Sequence, residues 1–74
     1  MKHYFTINNF EKPDLSKELI IVCEVEGKRC SYTIQKDVFE YDDYLGSILI
    51  LKDKLTGYPL IIKNTVYWVI LDDV

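Results

Sequence analysis

The chain has no alanine at all, a single histidine, a single arginine and three glycines that stand apart at Gly27, Gly46 and Gly57. Each shortage excludes something. Alanine is the strongest helix former, so its absence beside abundant Ile, Val, Thr and Tyr favours strands. Isolated glycines cannot build a phosphate-cradling loop, which needs several close together. His3, near the start of the chain, is expected to be exposed and inert. Nothing in its spacing to Cys23 or Cys30 supplies the orienting carboxylate and oxyanion donors of a nucleophilic site. Those three residues also fall short of the ligand set of a structural zinc. No catalytic, cofactor-binding or metal-binding residue is assigned, no cofactor is implied, and the chain reads as a non-enzyme.

Long apolar runs are missing as well. A membrane-spanning helix needs roughly 20 apolar residues, and no run here approaches that. The stretch Met1 to Asn9 reaches polar residues before any signal-peptide core forms. A soluble, cytoplasmic protein without membrane contact is the expectation. Positive charge is also sparse: 9 Lys and Arg stand against 12 Asp and Glu, for a net charge of −3. A nonspecific nucleic-acid coat needs clustered cations, whereas here only Lys28 and Arg29 are adjacent. Nucleic acid is therefore disfavoured as a partner.

What is present is apolar side chain at the high end for an ordinary globular domain, 49% of 74 residues. This length predicts one small domain over 1–74, and a domain this small buries only about 60% of its extended surface. Val66 to Leu71 has no polar position on either face. Alternation puts Val66, Trp68 and Ile70 on one side and Tyr67, Val69 and Leu71 on the other. Ile48 to Leu51 and Leu60 to Ile62 repeat the pattern. Such strands need cover on both faces, either from the rest of the chain or from another molecule.

Along the chain, the first predicted strand is His3 to Ile7, with Phe5 and Ile7 inward. A polar connection with its turn at Pro13-Asp14 follows. Over Leu19 to Glu26, Leu19, Ile21, Cys23 and Val25 make one apolar face, while the other starts apolar at Ile20 and Val22 and ends acidic at Glu24 and Glu26. Gly27-Lys28 suits a two-residue type II′ hairpin loop. That loop would set Val25 opposite Cys30, Cys23 opposite Tyr32 and Ile21 opposite Ile34. The cysteines would then lie diagonally, roughly 7–8 Å apart and beyond comfortable disulfide reach. Asp37 reads as a helix N-cap, with Glu40 completing a capping box and Gly46 closing the helix. Val38, Tyr41 and Leu45 would share its buried face. Strands are predicted over Ser47 to Asp53, Tyr58 to Lys63 and Val66 to Asp72. Pro59 belongs near a strand start or on an edge, and Asn64 is the left-handed turn residue. The predicted order is β-β-β-α-β-β-β: a mainly β (α+β) protein of five to six strands with one short helix. It would form a small partly open barrel or an antiparallel sheet with the helix packed on it.

Function is read from surfaces rather than chemistry. Asp37, Glu40, Tyr41, Asp42, Asp43 and Tyr44 form an acidic, aromatic stretch suited to a basic groove on another protein. Tyr67 and Trp68 point to opposite faces, and whichever is exposed marks a binding side. The leading expectation is a small protein-binding module, in concrete form a phage or mobile-element inhibitor of a host nucleic-acid-handling protein. The alternatives are a nucleic-acid-binding small barrel, stacking bases on Tyr32, Tyr58 and Tyr67 beside Lys28, Arg29, Lys52, Lys54 and Lys63, and a homo-oligomeric structural or accessory protein, a homodimer being one form.

Overall fold

The computed structural model describes residues 2–5, 11–45 and 48–71, with Tyr44 described by its backbone alone. Among the described residues seven strands follow one another: β1 (Lys2–Tyr4), β2 (Leu19–Val25), β3 (Lys28–Ile34), β4 (Phe39–Leu45), β5 (Ile48–Asp53), β6 (Pro59–Ile62) and β7 (Thr65–Ile70). They make two antiparallel sheets, a four-stranded one in the order β1-β7-β2-β3 and a three-stranded one in the order β4-β5-β6. The mainly β reading holds. The sheets do not close into a barrel, and among the described residues there is no α-helix.

The expected helix from Asp37 to Gly46 is strand β4, and the reason lies at Asp42. Tyr41 pairs with Leu51, but the next partner of Ile50 is Asp43, so Asp42 is an extra residue in a bulge. Tyr41 and Leu45 lie four apart and would share a helical face. The inserted residue sends them to opposite faces of the strand instead, Tyr41 beside buried Leu51 and Leu45 beside Ile48. Spacing alone does not reveal the insertion, because residues four apart share a face in a helix and in a regular strand alike. Asp37 caps nothing. It stands in the left-handed region at φ 60°, which Asp tolerates better than most residues, and its N–H donates to the Leu15 carbonyl at 3.1 Å. The proposed closing residue Gly46 lies outside the described residues.

The β2–β3 hairpin forms with its faces as expected and its register moved by two residues. The loop is Glu26-Gly27, with φ 52° and 76°, the two positive values of a type I′ turn. Val25 consequently pairs with Lys28, Cys23 with Cys30, Ile21 with Tyr32 and Leu19 with Ile34. A shift of two leaves every side chain on its original face. The cysteines, however, are direct cross-strand partners and not diagonal ones. Asn64 is left-handed at φ 56°, as the sequence indicates, and Pro59 opens β6 on the edge of its sheet.

The core lies between the sheets. Leu19, Ile21, Cys23, Ile34 and Trp68 from the first sheet meet Leu49, Leu51 and Ile62 from the second. The connection before β2 is not merely polar: Pro13 and Leu15 are buried. It works as a strap tied to both sheets. The Trp68 indole N–H donates to the Glu11 carbonyl at 3.1 Å, and the Tyr41 hydroxyl donates to the Pro13 carbonyl at 2.5 Å. With the Asp37–Leu15 bond, these satisfy polar groups that burial would otherwise strand. The second sheet and the strap supply the cover that β7 requires on its Trp68 face.

Candidate interaction surface

The outer face of the second sheet follows directly from its register. Leu49 and Leu51 point into the core, so Ile48, Ile50 and Lys52 point out. Ile61 pairs with Ile50 and Pro59 with Lys52, while across the other seam Leu45 pairs with Ile48, Asp43 with Ile50 and Glu40 with Lys52. The result is an apolar strip of Leu45, Ile48, Ile50 and Ile61. Leu45 is 55% and Ile61 50% exposed, and Ile48 and Ile50 are half-buried between them.

One border of the strip is acidic. Glu40, Asp42 and Asp43 are all exposed on β4, the edge strand. Lys52 reaches Glu40 at 3.6 Å, with both side chains near half exposure, so the pair adds little stability. The face thus has an apolar centre beside a charged border. At the far end of β5, Asp53 accepts from the backbone N–H groups of Thr56 at 3.0 Å and Leu55 at 2.8 Å, which hold its carboxyl below its ordinary value. Asp14, in the strap, is lowered in the same way by the Ser16 hydroxyl at 2.6 Å and the Ser16 N–H at 3.0 Å.

The residues singled out from the sequence do not converge. Asp37 is exposed in the turn before β4, and Glu40, Asp42 and Asp43 share the acidic edge. Tyr41 points inward to the strap, with the Lys12 ammonium 5.2 Å from its ring centre. The side chain of Tyr44 lies outside the described residues. Trp68 is 3% exposed and belongs to the core. Tyr67 therefore marks the outer side of β7, on the sheet opposite the acidic edge. There it meets Tyr4, with ring centres 5.3 Å apart, the Lys2 ammonium at 4.8 Å and the Arg29 guanidinium at 5.6 Å. The stems of those two cations help cover the half-buried ring.

His3 departs from expectation. Its ring stacks on Trp68, with centres 4.0 Å apart and planes 15° from parallel, and its Nδ1 lies 3.2 Å from Glu11 Oε2. It is a packing residue, held there because β1 pairs His3 with Trp68. The alternation that turns Phe5 inward also puts His3 on that face, and Phe5 packs against the core, although β1 ends at Tyr4 and Ile7 lies outside the described residues. The trio Tyr32, Tyr58 and Tyr67 shares no stacking face. Tyr32 pairs with inward-facing Ile21, Tyr67 pairs with the next residue Val22 on the opposite face, and Tyr58 precedes β6 in the other sheet. Lys52 and Arg29 likewise stand on different sheets.

Among the described residues, no group of three or more His, Cys, Asp and Glu side chains gathers as a metal site, and no helix is long and apolar enough to cross a membrane. Comparisons of the chain with protein-family models, with curated proteins and with solved structures returned no match.

Proposed function

We propose that the chain is a non-enzymatic protein-binding module that docks through the outer face of its second sheet. The observation that carries this reading is the exposed strip Leu45, Ile48, Ile50 and Ile61 bordered by Glu40, Asp42 and Asp43. Burying the strip would drive association, and the carboxylates would steer and orient a basic partner. The partner chemistry that fits is an apolar ridge or groove flanked by Lys and Arg, as on a protein that handles nucleic acid. A cytoplasmic phage or mobile-element inhibitor of such a host protein is the concrete form of the reading.

The test begins with capture on the immobilised chain, followed by titration of each purified captured protein. A true partner has a basic surface, binds less tightly as salt rises, and loses about tenfold or more in affinity to Asp42→Lys with Asp43→Lys. Binding that is indifferent to these substitutions and to Ile61→Lys overturns the reading. Sedimentation across a concentration range addresses the homodimer alternative: self-association abolished by Ile61→Lys would make a second copy the occupant of this face.

One observation favours a second reading. Tyr4 and Tyr67, with Lys2 and Arg29 beside the Tyr67 ring, offer a stacking and cationic surface for single-stranded nucleic acid. Glu24, 3.7 Å from Arg29, and the net charge of −3 weigh against it. Titration with single-stranded DNA at low salt decides, and no binding there removes it.

A further inference from the structure

Cys23 and Cys30 are direct cross-strand partners, two pairs in from the Glu26-Gly27 turn. In a two-residue hairpin the closing pair, here Val25 and Lys28, exchanges backbone hydrogen bonds, and every second pair does the same. The N–H of Glu24 accordingly turns away to the Asn64 carbonyl, at 3.0 Å. Cys23 and Cys30 therefore form a hydrogen-bonded pair, whose Cα atoms lie about 5.5 Å apart. That is inside the roughly 4.4–6.8 Å range that a disulfide spans.

The pair is asymmetric. Cys23 is 1% exposed and part of the core, while Cys30 is exposed on the edge strand β3. Both are free thiols, and their side chains are hydrogen-bonded to each other. A reagent in solution reaches Cys30 first, and Cys23 waits behind it.

We propose that Cys30 is a thiol-modification site for low-molecular-weight disulfides of the glutathione type, with Cys23 as its built-in resolving thiol. In the first step the Cys30 thiolate attacks one sulfur of the reagent. A Cys30–reagent disulfide forms, the reagent's own disulfide breaks, and one thiolate leaves to take up a proton. In the second step Cys23 gives up its proton, and its sulfur attacks Cys30 Sγ. The Cys23–Cys30 disulfide forms and the second thiolate departs and is protonated. The protein loses two electrons and two protons, and one disulfide reagent becomes two thiols. Burial of Cys23 slows its ionisation, so the first product accumulates transiently before the ring closes.

The test is incubation of the full chain in buffer rich in oxidised glutathione, acid quenching at intervals, and intact-mass and peptide analysis. The expected course is a glutathione adduct at Cys30 that decays to a monomer lighter by two hydrogens, with Cys23 and Cys30 in one linked peptide pair. Cys23→Ala should keep the adduct, and Cys30→Ser should show neither adduct nor linkage. If Cys23→Ala does not fold, the wild-type time course decides alone. A persistent adduct on the wild type, linkage between chains, or two unmodified thiols would each overturn the proposal.

Discussion

The Tyr41 hydroxyl donates to the Pro13 carbonyl at 2.5 Å across 28 residues of sequence, joining the acidic edge strand to the strap that buries Pro13 and Leu15. Trp68 makes the matching bond from the other sheet, to Glu11. The strap is held from both sides. Tyr41→Phe leaves a part-buried carbonyl without its donor, and the expected loss is about 1–3 kcal/mol of stability. Urea denaturation measures it. A loss shared with Pro13→Ala and non-additive in the double variant identifies the strap as the common element.

Ile61 and Ile62 are neighbours with opposite fates, 50% and 0% exposed. Ile62→Ala should cost about 2–5 kcal/mol because it empties part of the core. Ile61→Lys should stay within about 0.5 kcal/mol of the wild type, as surface changes usually do. Thermal or urea unfolding of the two variants checks the register of β6 directly, since a slip of one residue exchanges the two results.

The cysteines should differ sharply towards an alkylating reagent. Burial and the neighbouring Cys30 sulfur push the Cys23 thiol up to about 11, and its side chain is hidden in the core. One thiol, Cys30, should react promptly with iodoacetamide in the native protein, and the second only after unfolding. Mass spectrometry of timed samples reads this, and two thiols reacting at one rate would contradict the placement of Cys23.

Acid should loosen the turn between β5 and β6. Asp53 is lowered from its ordinary value of 3.8 by the N–H groups of Thr56 and Leu55. A folded carboxyl that titrates below its unfolded value stabilises fully above the ordinary range. That contribution is lost as pH falls through the lower folded value. Amide signals of Leu55 and Thr56, followed by NMR through this acid range, should shift together with Asp53 protonation. Asp53→Asn should abolish that coupled shift.

How far the sequence reaches is clear from particular residues. Glu24 and Glu26 mark the outer face of β2, so its buried face through Leu19, Ile21 and Cys23 is legible. Asn64 and Pro59 announce their roles because few residues suit a left-handed turn or tolerate a strand start without an N–H. The bulge at Asp42 hides the faces of β4, because Tyr41 and Leu45, four apart, would share a face in a helix or a regular strand but not across one inserted residue. The same bulge hides the candidate surface, since Leu45 reads as part of a buried helical face until Ile48 is known to be its partner. The strap is illegible for another reason. Its bonds run from Tyr41 and Trp68 to backbone carbonyls, which any residue provides.

The docking claim is tested most directly by one comparison of affinities for a purified basic partner, using substitutions on opposite sheets. Asp42→Lys with Asp43→Lys should weaken binding by about tenfold or more, whereas Tyr67→Ala should leave it within about twofold. The reverse pattern would move the interface to the Tyr67 face and contradict the assignment to the second sheet.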